Sequence, residues 1–200
     1  MNTLKKGFLT LLLGVMLGGN VLAAELTAVE SAEQSVNELL AKVQELRPLF
    51  DSDKDAYFRG IEEEISKFVD FREVARGVMA SYAQQATPEQ IDAFAEKLKT
   101  TLTRFYGSTL VEYGGQQLEY MPSNESASNP ENNTNVRMRI TSGNTRVELQ
   151  YTMFLNADRE WKVKNLFLGG INLRRQYNTQ FAALMNRNGN DIDKVIARWQ

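Results

Sequence analysis

The chain has no cysteine and no histidine among its 200 residues, and the two absences decide much of its chemistry. Without cysteine there is no disulfide, no thiolate metal ligand and no acylated lipoprotein cysteine, so stability has to come from the core. Without histidine the chain lacks the one side chain that is ordinarily a base near neutral pH, and also the commonest metal ligand. A Ser–His–Asp or Cys–His centre is excluded. A serine–lysine centre would need a Ser-x-x-Lys spacing that does not occur. Ser66 and Lys67 are adjacent on a helix and point apart. No glycine-rich phosphate loop is present, since Gly114-Gly115 and Gly169-Gly170 read as element boundaries. An excess of one charge is also missing. The formal net charge is −2, which gives no reason to expect nucleic acid as a partner.

Long apolar runs are almost absent. The one candidate lies at the start, where Lys5 and Lys6 precede the stretch from Phe8 to Leu17 and small residues lead to Ala23-Ala24. A membrane-spanning helix needs about 20 apolar residues, so this run is too short. It predicts a cleaved signal peptide over residues 1–23, with 24–200 as a single mature domain. Removing Lys5 and Lys6 leaves 21 basic against 25 acidic side chains. Export with this signal style points to a bacterial periplasm.

The mature chain is ordinary in composition, with 42% hydrophobic and 24% charged residues, which argues for a folded domain. Val29, Ala32, Val36, Leu39, Leu40 and Val43 form one face of a predicted helix over 28–46, ended by Pro48. Asp51, Asp53, Asp55 and Glu62 partly match a calcium loop, but Ala56 stands where that loop needs glycine. Phe58, Ile61, Ile65 and Phe68 continue in helical period, so these acids read as a helix start. A further helix is predicted from Phe71 to about Gln85. Thr87-Pro88-Glu89-Gln90 then combines an N-cap, a proline at the first helical position and a capping-box glutamine. The helix it opens carries Ile91, Phe94, Ala95, Leu98, Leu102, Phe105, Tyr106 and Leu110.

After Gly114-Gly115 the period changes from 3.6 to two. Strands are predicted over 116–121, 135–141, 145–155 and 160–168, separated by a polar loop at 122–134 and turns at 142–144 and 156–158. Short connections imply an antiparallel meander with one apolar face. Helices over 172–187 and 192–199 close the chain. The fold class is α+β: an antiparallel meander sheet packed against a helical layer.

The remaining chemistry is sparse. Glu62, Glu63 and Glu64 are consecutive on a helix and read as a solvated face. Arg137, Arg139, Arg146, Lys162 and Lys164 on the outer sheet face could form a patch for a partner, or a solvated face interrupted by Glu148 and Glu160. The apolar faces are rich in methionine and aromatics, which suits a variable apolar ligand but equally a packed core. Periodicity says which side faces inward and leaves open whether the inside is full.

The stretch DFREVARGVMASYAQQATPEQIDAFAEKLKTTLTRFYGSTLVEY at 70–113 resembles the MlaC family of periplasmic phospholipid carriers, also called toluene-tolerance auxiliary proteins. The Asp-Phe before the first helix, the Ala-Thr-Pro-Glu-Gln and the closing Leu-x-Glu-Tyr all match in spacing. The stretch WKVKNLFLGGINL from Trp161, followed by Tyr177 and Phe181, is also similar to the family. The chain departs from it at Asn165, where an aspartate is usual, and in the turn at Gly169–Asn172. The resemblance implies an apolar cavity between sheet and helices that holds phospholipid acyl chains. The partners would be an inner-membrane ABC transporter complex and an outer-membrane lipoprotein–porin complex, with the carrier maintaining outer-membrane lipid asymmetry as a monomer.

On that basis the cavity wall is expected to include Val74, Val78, Met79 and Tyr82. Leu98, Leu102, Phe105, Tyr106 and Leu110 would follow on the next helix. The sheet would add Val136, Met138, Ile140, Val147, Leu149, Tyr151, Met153 and Val163. No catalytic residue, metal or cofactor is expected. The competing readings are a periplasmic adaptor with a filled core that binds no lipid, and an α+β enzyme for a small apolar substrate.

Overall fold

Among the described residues, six of the seven α-helices open on a side chain that caps their own first turn. The computed structural model describes residues 26–121 and 131–200. The predicted signal segment and residues 122–130 of the expected polar loop lie outside the described residues. Helix α1 (Ala28–Leu46) starts at Thr27 in a full capping box with Glu30. A short α2 (Leu49–Ser52) follows Pro48 without a side-chain cap. Asp53 caps α3 (Lys54–Ser66), accepting the Ala56 N–H at 2.9 Å. Asp70 caps α4 (Phe71–Met79), and Thr87 with Gln90 forms the expected capping box of α5 (Pro88–Leu110). Asn172 caps α6 (Leu173–Arg187) and Asp191 caps α7 (Ile192–Arg198). Each cap satisfies backbone donors that the helix itself cannot pair.

The sheet is a meander in the order β1 (Gln117–Met121), β2 (Thr134–Ser142), β3 (Thr145–Leu155), β4 (Trp161–Leu168) and β5 (Ile171–Asn172), antiparallel throughout. One face of it packs against the helices, as expected for this α+β class. Among the described residues no helix is long and apolar enough to cross a membrane.

Three details depart from the sequence reading. The helix predicted to reach Gln85 ends at Met79, because Ala80 takes φ +51° and a 3-10 turn follows over Ala80–Gln84. That backbone is unfavourable for alanine and stops helix propagation. The two-residue strand β5 after Gly169-Gly170 was not expected. The third is a bulge. Met153 pairs with Val163 while Thr152 pairs with Asn165, so Lys164 is an extra residue in β4. The extra residue flips the side-chain alternation, which puts Leu166 opposite Tyr151 on the inner face.

Packing divides into three clusters. A helical one joins Met79, Phe94, Leu98, Phe181, Met185 and Trp199 from α4–α7. The Phe94 ring lies 4.9 Å from both Phe181 and Trp199. A second sets Ala28, Ala32 and Val36 of α1 on Val136, Met138, Tyr151, Met153 and Val163 of the sheet. The third joins Leu39 and Val43 of α1 to Tyr57, Phe58 and Ile61 of α3. There Tyr57 donates its hydroxyl to the Gly107 carbonyl of α5 at 2.9 Å. The space where the three clusters meet is not filled.

Candidate functional site: an apolar cavity between sheet and helices

The cavity has a volume of about 280 Å³, and about 1270 Å³ of empty space lies between its walls when the mouth is included. An engineered apolar cavity of about 150 Å³ already stays dry and takes up benzene. At about 24 cal/mol per Å³ of sealed residual cavity, 280 Å³ would cost up to about 7 kcal/mol, an upper bound for a cavity with a mouth. That is comparable to the whole stability of many domains, roughly 5–15 kcal/mol.

Every layer contributes to the wall. From α1 come Val36, Leu39 and Leu40, and from the end of α3 and the link to α4 come Ile65, Phe68 and Val69. The link is fastened to the sheet, since Val163 N–H donates to the Phe68 carbonyl at 2.8 Å and Asp70 N–H to the Val163 carbonyl at 3.0 Å. Phe71, Val74 and Val78 of α4 lie three and four residues apart and share one helix face. Leu102, Thr103, Tyr106 and Leu110 do the same on α5, with Tyr113 just beyond. The sheet supplies Leu118, Met138, Ile140, Leu149, Tyr151, Val163, Asn165 and Leu166, and α6 supplies Leu173, Arg174 and Tyr177.

Polar groups are few. The Thr103 hydroxyl is buried without a hydrogen-bond partner. The Tyr106 and Tyr177 hydroxyls lie 3.5 Å apart. The buried Asn165 accepts the Arg174 backbone N–H on Oδ1 at 3.3 Å. Burial holds the phenol of Tyr151 well above the usual tyrosine range, and burial followed by the contact with Tyr106 does the same for Tyr177. Both stay neutral at ordinary pH. Among the described residues, Arg174 is the one charged residue on the wall.

Ten of the expected wall residues border the cavity: Val74, Val78, Leu102, Tyr106, Leu110, Met138, Ile140, Leu149, Tyr151 and Val163. Seven lie elsewhere. Met79 and Leu98 are fully buried in the helical cluster, on the flank of each stripe that faces α6 and α7. Tyr82 comes after the break at Ala80 and packs its ring 5.8 Å from Phe181. Phe105 is 68% exposed, because its place beside Tyr106 on the helix turns it outward. Val136 and Met153 are sealed in the sheet cluster that includes Ala28, Ala32 and Val36 of α1. Val147 sits next to the hairpin turn, half-buried and off the wall.

Several wall residues escaped the sequence reading. The α1 residues Val36, Leu39 and Leu40 were visible as an apolar face, but nothing tied that face to the cavity. Leu166 was hidden by the bulge, and Asn165, Thr103 and Arg174 by their polarity.

The other sequence candidates resolve locally. Asp53 is a cap, and Asp55 pairs with Arg104 at 2.8 Å. Among the described residues, no group of three or more acidic side chains is placed to hold a metal ion. Glu64 is not on a solvated face: it is buried and pairs with Lys67 at 2.8 Å. On the outer sheet face Arg139 is bridged by Glu119 at 3.1 Å and Glu148 at 3.2 Å, and Lys162 by Glu160 at 2.9 Å.

The family model described as MlaC protein matches residues 33–200. The toluene tolerance protein ttg2D of Pseudomonas putida is 32% identical over 198 residues, spanning 98% of this chain and 89% of that protein. The intermembrane phospholipid transport system binding protein MlaC of Haemophilus influenzae is 22% identical, spanning 98% of this chain and 92% of its own length. Among solved structures, the phospholipid-binding protein from Ralstonia solanacearum, in complex with a phospholipid, superimposes with a TM-score of 0.76. It is 23% identical, the match spans 86% of this chain and 94% of that one, and the two share a fold.

Proposed function

The chain belongs to the MlaC family, and from that premise we propose that it is a lipid carrier whose cavity encloses phospholipid acyl chains. The cavity carries this reading: a largely apolar chamber built from all layers of the fold, whose lining lacks packing partners on its inner side. Burying a methylene is worth about 0.8 kcal/mol, so a 16-carbon chain left in water costs on the order of 12 kcal/mol. A surface patch cannot offset that for two chains, and a soluble shuttle has to surround them. The occupied state also repays the cavity's own cost, because acyl groups restore the contacts its lining lacks.

Residues 1–23 act as an export signal in this reading, and the mature domain works in the periplasm as a monomer. It takes phospholipid between an inner-membrane ABC transporter complex and an outer-membrane lipoprotein–porin complex, maintaining the lipid asymmetry of the outer membrane. The energy source belongs to the transporter, and no catalytic group is required of the carrier. Release needs a partner that favours an open state over the closed one, since a ligand leaves only when the relative stability of the two states is changed.

Lipid extraction of the purified protein followed by mass spectrometry tests the reading. The expected result is phospholipid at a fixed, near-stoichiometric ratio. Protein that carries no phospholipid, and takes none up after delipidation, would sink it in favour of the adaptor.

A further inference from the structure

The wall of the cavity is mostly apolar, and among the described residues Arg174 is its one charged residue. Arg174 is exposed at the rim, in the first turn of α6. Its aliphatic stem lies against the bare backbone of Gly77 in α4, where an added Cβ would come within 2.4 Å of the Arg174 Cδ. Its backbone is held by Asn165. The guanidinium has no carboxylate partner among the described residues. Glu73, one turn before Gly77 on α4, is taken up by Arg76 at 2.5 Å. One turn along α6, Tyr177 reaches Tyr106 across the wall, and this pair of hydroxyls leaves donor capacity unused.

We propose that Arg174 is the phosphate anchor of the site: its guanidinium holds the lipid phosphate at the rim while the acyl chains fill the apolar space behind it. The inference rests on the carrier reading and deepens it, by making phosphate the recognised part of the headgroup and leaving the alcohol beyond it in solvent. A planar guanidinium offers two parallel N–H donors to two phosphate oxygens, which a point charge does not. The stem seated on Gly77 fixes where that fork points. The Tyr177–Tyr106 hydroxyls lie on the wall side of Arg174 and meet the ester region, where polarity falls off towards the chains.

The test uses delipidated protein and two probes carrying the same fluorescent acyl chain, phosphatidylglycerol and diacylglycerol. Wild-type protein is expected to bind the phosphatidylglycerol more tightly. Arg174→Gln should weaken it by about tenfold and leave diacylglycerol unchanged, as loss of a charge-assisted hydrogen bond implies. Arg174→Lys should recover only part of the difference. Gly77→Ala, which crowds the stem without removing the charge, should reduce the same selectivity, and it keeps the test open should Arg174→Gln fold poorly.

An equal effect on both probes, or none on either, overturns the anchor while leaving the carrier reading intact. Failure of wild-type protein to bind either probe overturns both. Inorganic phosphate provides the last arm. If millimolar phosphate alone raises the melting temperature of wild-type protein but not of Arg174→Gln, and lipid selectivity is unmoved, the site is one for a free anion and the lipid anchor is wrong.

Discussion

Leu98 and Leu102 are the same residue one turn apart on the same face of α5, yet only one of them meets empty space. Leu98 is fully buried in the cluster that holds Phe94, Phe181 and Trp199. Leu102 packs against the edge of the same cluster and turns its other side to the cavity. The N-terminal half of α5 thus belongs to a solid core and the C-terminal half to a hollow one. The solid half anchors the helix, and farther along Tyr57 of α3 holds it from behind through the Gly107 carbonyl, so the wall stands without contents. A domain with only the second kind of packing would have no reason to stay open.

The largest expected effect breaks this comparison directly. Leu98→Ala should cost about 2–5 kcal/mol, the usual range for a well-packed leucine, because the neighbouring rings cannot collapse into the space. Leu102→Ala should cost less in delipidated protein, about 1–2 kcal/mol, since only the side of it that meets the cluster has partners to lose. Denaturant unfolding of the two variants measures both. Equal losses would mean that the space beside Leu102 is filled in solution.

A second variant approaches the hollow half from the other side. Ile140→Trp on β2 adds bulk towards the cavity. It should raise the stability of delipidated protein by about 0.5–2 kcal/mol, as cavity filling commonly does. It should also reduce co-purified lipid several-fold. In a solid core the same change would overpack and destabilise by about 1–3 kcal/mol, so the sign of the shift in melting temperature decides.

How much of this was legible in the sequence follows from what each signal encodes. The caps at Thr87, Asp53 and the alternation of 145–155 are local, and the helices and the meander they predict are present. The split between Leu98 and Leu102 is not local. Both sit on the apolar stripe, and the stripe is the same whether the opposite side is an aromatic ring or empty space. Met79, Tyr82, Val136 and Met153 were placed on the wall for that reason, although their stripes are wide enough to serve two clusters at once. The bulge at Lys164 could not be read from NLFL, since an extra residue leaves no mark on composition but moves Leu166 to the inner face. The end of α4 at Ala80, where φ is +51°, runs against the intrinsic preference of alanine for helix, so local propensity could not report it. Arg174 is on the wall because β5 and the Gly169-Gly170 turn bring α6 back over the sheet, and no short-range pattern reports that.

The smallest effects concern two polar groups near one turn of α5. In the solid region the Tyr57 hydroxyl is buried and donates to the Gly107 carbonyl at 2.9 Å. Tyr57→Phe should therefore cost about 1 kcal/mol, the net worth of one buried hydrogen bond. One turn earlier, on the cavity side, the Thr103 hydroxyl is 1% exposed and has no partner. A buried hydroxyl that makes no hydrogen bond keeps its desolvation penalty uncompensated. Replacing it by a methyl of the same shape removes that penalty and no interaction. Thr103→Val should then be neutral to stabilising, by up to about 1 kcal/mol, where Thr→Val at a satisfied site destabilises. Thermal unfolding of delipidated and lipid-loaded protein separates two roles for this hydroxyl. If Thr103→Val stabilises both forms equally, the hydroxyl is an orphan of the hollow wall. If the gain is confined to the delipidated form and lost on loading, the hydroxyl pairs with a polar atom of the bound lipid, and the hollow half of α5 is completed by its ligand.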